Sequence, residues 1–179
     1  TDGTGTVTVK ADTDNTRNLV APGTTGSMTF SVKGKAEVLA QVEMKVADGY
    51  TDIALKLAKD GNNYTYNPVK WTLKKGTGAL VTNGTLEDVV NAINGQYKTE
   101  GTTDTATIAI GTEINDEYTL SWAWAFEGTE VPAGVEGLTS DALDTLLGQG
   151  TATEANGYAL TYVSTVKFEL NISVTQRKN

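Results

Sequence analysis

The segment YALTYVSTVKFELNISVT, residues 158–175, alternates between apolar and polar side chains over most of its length. Because successive side chains of a β-strand point to opposite faces, this alternation predicts a strand with one buried face and one solvated face. At about 3.3 Å per residue the segment would span about 60 Å, whereas an ordinary strand has about five or six residues. We therefore expect it either to bend between two sheets or to run along an elongated body. Both arrangements favour an all-β protein.

Shorter segments with the same period of two recur along the chain. Asp-Gly pairs at residues 48–49 and 60–61 predict turns on either side of one of these segments. A proline at position 68 predicts the start of a strand or a sheet edge, because proline has no N–H to donate. The alternating segments are residues 6–11, 27–33, 37–46, 53–57, 69–73, 108–110 and 118–126.

Two segments instead carry the spacing of helices. Residues 86–93 place apolar side chains at i, i+3, i+4 and i+7, with Thr85 as the predicted N-cap and Gly95 as the stop. A shorter helix is predicted over residues 140–148, begun by its first serine or aspartate and stopped by its final glycine. Asp144 is predicted as a charge that favours the helix dipole. Strands outnumber helices without βαβ alternation, so we predict an all-β fold, a two-sheet antiparallel jelly-roll sandwich with short helices inserted in connections.

The composition excludes several classes of function. The 179 residues include no histidine and no cysteine, which excludes Ser-His-Asp and Cys-His nucleophiles and His-Glu-x-x-His zinc proteases. The net charge is −8, and basic residues do not cluster as phosphate-backbone contacts require. No apolar run approaches the ~18 residues of a membrane-spanning helix. The sequence therefore predicts no enzyme, no cofactor, no nucleic acid partner and no membrane span.

Two local features each have two interpretations. Asp12 and Asp14 bring carboxylates together as at the start of a calcium loop, but the turn chemistry of aspartate explains the same residues. Trp122 and Trp124 share one parity with Leu120 and Phe126, which predicts that all four side chains lie on the inner face of a sheet. The alternative for the two tryptophans is an exposed platform on which a sugar ring stacks.

Six stretches of the chain carry motifs that occur together in one family. Residues 66–71 contain Tyr-Asn-Pro-Val, residues 118–127 contain Trp-Ala-Trp-Ala-Phe, and residues 140–148 contain Asp-Thr-Leu-Leu-Gly. With residues 12–16, 18–27 and 34–38, these stretches resemble the TasA and camelysin family of secreted biofilm-matrix proteins. They follow one another in the order in which that family has them.

The resemblance implies a secreted jelly-roll subunit that polymerises with itself into extracellular fibres of a biofilm matrix or pilus. In such fibres, and similarly in archaeal bundling pili, an N-terminal strand of one subunit completes a sheet of the next by donor-strand exchange. Carried onto this chain, it implies a donor strand in residues 1–11, a hinge and turn segment in 12–26 and a jelly-roll domain in 27–179. The predicted donor residues are Thr4, Thr6, Val7, Thr8, Val9, Lys10 and Ala11.

The camelysin name also carries a metalloprotease activity. Because this chain has no histidine and no cysteine, a zinc site would have to be built from carboxylates alone, so we predict that it is not a protease. The alternative to a fibre subunit is a carbohydrate- or surface-binding adhesin module.

Overall fold

The computed structural model describes residues 20–99 and 101–177. This part of the chain is mostly β-strand, every strand pairing in it is antiparallel, and two short helices lie in connections between strands. The predicted all-β class and the inserted helices are thereby confirmed. The strands are β1 (Thr25–Lys35), β2 (Ala40–Val46), β3 (Ala54–Lys59), β4 (Asn62–Tyr66), β5 (Val69–Lys75), β6 (Gly78–Gly84), β7 (Thr107–Ile108), β8 (Glu113–Trp124), β9 (Glu154–Ala155), β10 (Tyr158–Val163) and β11 (Leu170–Gln176), and the helices are α1 (Leu86–Asn94) and α2 (Ser140–Gln149).

The described strands form three sheets around one core, one sheet more than the sequence predicts. Their orders are β1-β8-β5-β6, β4-β3-β10-β9 and β11-β2-β7. Buried side chains from all three sheets and from both helices belong to a single hydrophobic cluster. The sheets therefore owe their stability to a shared interior, because isolated strand pairs of this length are marginal in water.

The long alternating segment at residues 158–175 bends between two sheets. Its first part is β10, which pairs with β3, and its last part is β11, which pairs with β2. Between them the ladder is reduced to an isolated bridge, in which the N–H groups of Thr51 and Lys167 each donate to the other residue's carbonyl oxygen at 3.0 Å. The segment therefore bends between two sheets and does not run along an elongated body. Its two parts, β10 and β11, each have the length of an ordinary strand.

Both predicted helices are present. Thr85 caps α1, and its hydroxyl and the Asp88 side chain form a reciprocal capping box, which satisfies backbone donors of the first turn. For α2 the predicted boundaries are wrong by one or two residues. Its N-cap is Thr139 and its C-cap is Gly150, whose φ of 62° suits glycine, whereas Gly148 lies inside the helix. Neither described helix is long and apolar enough to cross a membrane.

Three strands, β4, β6 and the two-residue β9, lack the alternation that predicted the others. A tight turn fixes β4, since Asp60 and Gly61 both have positive φ and join it to β3. β6 follows β5 through a similar short turn and is largely exposed. Polar side chains are tolerated in these strands because each lies at the edge of its sheet.

Candidate functional site

Within the described residues each of the three sheets ends in strands that pair on one side only, and two of these edge strands lie beside one another. β1 ends the first sheet and β11 ends the third, so each pairs on one side only. Such an edge presents a row of free N–H and C=O groups that bonds readily to another strand. Residues of both edge strands line one groove, here called the β1–β11 groove.

The β1–β11 groove is mainly apolar and partly open to solvent. Its volume is about 100 Å³. Consecutive residues at the end of β1 line it, which means that the backbone edge of this strand borders the groove. The side chains of β2, β7, β8 and β11 supply the remaining walls. The lining residues are Val32, Lys33, Gly34, Lys35, Ala36, Ala40, Val42, Ile108, Ile114 and Val174.

Gly34 leaves a gap in the wall of the groove. Phe30 and Val32, which share its parity in β1, are buried, and Ile114 is its partner in the ladder with β8. A Cβ atom at Gly34 would meet no other atom within 4 Å. The inner face of β1 therefore has room for a small aliphatic side chain at this position.

One exposed apolar side chain lines the same groove, and two others lie in chain segments that adjoin it. Val38, Ile110 and Val174 are 42%, 63% and 46% exposed. Val174 lines the groove, Val38 follows Ala36 by two residues, and the neighbour of Ile110, Gly111, donates its N–H to the Ala36 carbonyl oxygen at 2.7 Å. Clustered apolar exposure of this kind marks surfaces that bind another protein segment.

The predicted donor strand, Thr4, Thr6, Val7, Thr8, Val9, Lys10 and Ala11, lies outside the described residues. So do Asp12 and Asp14, the carboxylates of the calcium interpretation. Both of these therefore remain predictions. In residues 20–99 and 101–177, no three carboxylates come together as a metal site would require.

The aromatic residues at the end of β8 do not all face the core. Leu120 and Trp124 are buried as predicted, and Trp122 is half-buried against Gly26, where a Cβ would lie only 2.6 Å from the indole Nε1. For Phe126 the prediction is wrong, since this side chain is 71% exposed. β8 ends two residues earlier, so the alternation of a strand no longer sets the direction of Phe126.

Asp144 has a role that its helical position did not predict. It is buried, and its Oδ1 accepts hydrogen bonds from the Tyr66 hydroxyl at 2.7 Å and from the Trp124 indole N–H at 3.0 Å. Burial, and then the bond to Asp144, raise the pKa of Tyr66, so its hydroxyl stays protonated and remains a donor. These bonds fasten α2 to the strands beneath it.

A second polar cluster joins the segment after α1 to the first sheet. The Lys75 ammonium and the Tyr97 hydroxyl both contact Asp116 Oδ2, at 2.8 Å and 2.6 Å. Burial acts to raise the pKa of Asp116, but the hydrogen bonds from Lys75 and Tyr97 outweigh it and hold that pKa below the ordinary value. The Lys75 ammonium also lies 5.3 Å from the centre of the Tyr97 ring. The cluster is a structural clamp, because its lysine is held in the protonated, non-nucleophilic form.

The Asp116 clamp predicts an acid-sensitive contribution to stability. Because the folded-state pKa is lowered, the contribution is complete above the ordinary pKa of 3.8 and is lost as pH falls through the lower folded-state value. We expect Asp116→Asn to destabilise the protein at pH 6 and to differ progressively less from the parent as the pH falls below 3.8. Urea unfolding across this range measures the difference, and a deficit that is independent of pH would contradict the assignment.

Comparisons of the chain with protein-family models, curated proteins and solved structures found no match. The chemistry of the described surface is therefore the basis for assigning a function. Its most distinctive feature is a pair of unpaired strand edges beside an apolar groove. That arrangement is suited to binding an extended segment, since a strand can bond to the backbone edge while its alternate side chains enter the groove.

Proposed function

We propose that the chain is a structural, non-catalytic subunit of a secreted extracellular fibre, in a biofilm matrix or a pilus, that polymerises by donor-strand exchange. Residues 4–11 of one subunit enter the β1–β11 groove of the next and pair with β1. The observation that carries this proposal is the coincidence of a free strand edge, an apolar lining and exposed apolar side chains. The sequence motifs that resemble the TasA and camelysin family support the same function.

Pairing with β1 accounts for the backbone of the groove. Residues of both parities at the end of β1 line it, so an incoming strand lies beside the edge and not above one face. The eight donor residues cover about 26 Å, within the roughly 36 Å of the 11-residue β1. Each hydrogen bond between the two strands pairs a backbone N–H with a backbone C=O, groups that are hydrogen-bonded to water in the free subunit.

The side chains of the donor match the two environments beside that edge. Val7 and Val9 share one parity, while Thr6 and Thr8 have the other. In the proposed complex the valines fill the gap at Gly34 and cover the exposed apolar residues, and the threonines face solvent. Burial of these apolar groups supplies the main driving force. The added strand closes the seam between β1 and β11, and we assign the completed subunit to the jelly-roll sandwiches on this basis.

The contact is heterologous, so it repeats without closing. Each subunit offers a donor to one neighbour and a groove to another, and successive additions of this type build a filament. The net charge of −8 keeps free subunits apart in solution until strand pairing outweighs their repulsion.

The test is a charge placed on either face of the donor. Val7→Asp is expected to abolish fibres, because an unpartnered carboxylate entering an apolar groove costs several kcal/mol. Thr8→Asp is the matched control, with the same charge on the solvent face, and should still assemble. Negative-stain microscopy and sedimentation over a concentration series distinguish fibre from monomer. Normal fibres from Val7→Asp would refute the proposal.

A further inference from the structure

The outer face of the first sheet carries a cleft that the proposed fibre contact does not use. Two adjoining hollows, of about 390 and 500 Å³, lie over β1, β8, β5 and the end of β6. Both volumes fall in the range of small-molecule sites. Four residues line both hollows, which makes them one continuous feature, called the outer cleft. These shared residues are Thr25, Lys70, Asn83 and Ala123.

Phe126 forms one end of the outer cleft. One side of its ring lies against the turn before β1, where Gly23 has a φ of 80° and a Cβ would come within 3.3 Å of a ring carbon. That turn is itself tied to β8, since the Gly23 N–H donates to the Trp124 carbonyl oxygen at 2.9 Å. The ring is thus supported from behind while 71% of the side chain stays exposed. It is a positioned apolar platform.

Polar side chains in regular rows form the floor of the outer cleft. Strand register aligns Thr25 with Ala123 and Lys70, and aligns Ser27 with Ser121 and Thr72. Apart from Thr72, which accepts a hydrogen bond from the Asn83 backbone N–H, the polar side chains of these rows and of Asn83 have no protein hydrogen bond in the described part of the chain. Lys70 likewise forms no ion pair there. Hydroxyls, an amide and an ammonium are therefore all available to a ligand.

We infer that the outer cleft binds a saccharide through a pyranose ring stacked on Phe126. A pyranose presents an apolar C–H face, which suits an exposed aromatic ring, and a rim of hydroxyls, which both donate and accept hydrogen bonds. The floor offers the same mixture of donors and acceptors across four strands, about 14 Å, so it is long enough for more than one sugar unit. Lys70 is the one charged residue among those that line the cleft, and it favours a sugar carrying a carboxylate.

The exposed aromatic platform at the end of β8 is Phe126 and neither of the two tryptophans. Trp124 is buried and Trp122 half-buried, so neither offers an open face, but Phe126 does. The site lies on a different face from the β1–β11 groove and does not rest on the fibre proposal. A fibre subunit with such a site would hold matrix polysaccharide along its length.

The experiment is an NMR titration of the full chain, ¹⁵N-labelled and held monomeric at low concentration, with cellohexaose and with a galacturonic acid hexamer. We expect saturable shifts at Asn83, Ala123 and Phe126, with a dissociation constant of about 1 mM or tighter. Phe126→Ala should weaken binding at least about tenfold while leaving the melting temperature unchanged. Leu80→Ala, at another exposed apolar residue of the same sheet, should bind as the parent does.

The two probes distinguish a neutral saccharide from an acidic one. If only the galacturonic acid hexamer binds, and Lys70→Met abolishes that binding, the ligand is an acidic saccharide. If both probes bind, the site recognises neutral saccharides. Either result supports the site. Absence of saturable shifts with either probe would overturn it, as would an unchanged affinity in Phe126→Ala. Loss of saccharide binding has no bearing on fibre formation, which the Val7 and Thr8 variants test separately.

Discussion

Replacing Trp124 with alanine is expected to lower the free energy of unfolding by about 3–5 kcal/mol, a large share of a domain's stability. The side chain is buried, so its removal leaves a cavity among the strands of the core. The substitution also removes one of the two neutral donors to the buried Asp144 carboxylate. A buried polar side chain that loses a hydrogen bond is costly, because water cannot replace the missing donor.

The same strand provides the controls. Phe126→Ala, two residues further along, should change stability by less than about 0.5 kcal/mol, because the side chain is largely exposed. Trp122→Ala should fall between the two, since that ring is half-buried. Urea unfolding with linear extrapolation gives all three values. A loss below about 1 kcal/mol for Trp124→Ala would contradict the role assigned to Trp124 and Asp144.

Local pattern was sufficient to predict most of the strands and both helices. Phe30, Leu57 and Leu73 are buried because the alternation of their own segments places them on an inner face. Thr85 caps α1 because its hydroxyl lies beside the backbone N–H of Asp88, three residues on in the chain. Features of this kind depend on neighbours in sequence, and sequence alone therefore determines them.

Features that depend on distant segments were not predictable in the same way. Asp144 was interpreted as a helix charge, and its burial follows from Tyr66 and Trp124, which lie 78 and 20 residues away. Similarly, alternation predicts that Val32 and Val174 lie on inner faces of their strands. It does not predict the order of strands in a sheet, so it cannot show that both strands lie at sheet edges. The groove arises because β1 and β11 are both terminal strands, and this depends on the complete pairing order.

Because the donor and the groove are separate parts of the chain, each can be disabled alone. Removal of residues 1–11 should leave a folded monomer with an open groove and no donor, since the described residues from position 20 onward already form a hydrophobic core. Gly34→Val should leave a donor and a blocked groove, because the new side chain occupies the gap meant for a donor valine. There is open space for the added side chain, since apart from Gly34 and its two chain neighbours no atom lies within 4 Å of an added Cβ. Ser31→Val, on the solvent face of β1, is the matched control and should form fibres.

Mixing the two disabled proteins gives the sharper result. Neither should polymerise by itself, yet the donor of Gly34→Val fits the open groove of the truncated chain. We expect a 1:1 complex that grows no further, because the truncated partner has no donor and the other has no free groove. Sedimentation velocity distinguishes this heterodimer from monomers and from fibres. Fibres from the truncated chain would show that residues 1–11 are not the donor. Fibres from Gly34→Val, or two monomers in the mixture, would show that the acceptor is not the β1–β11 groove.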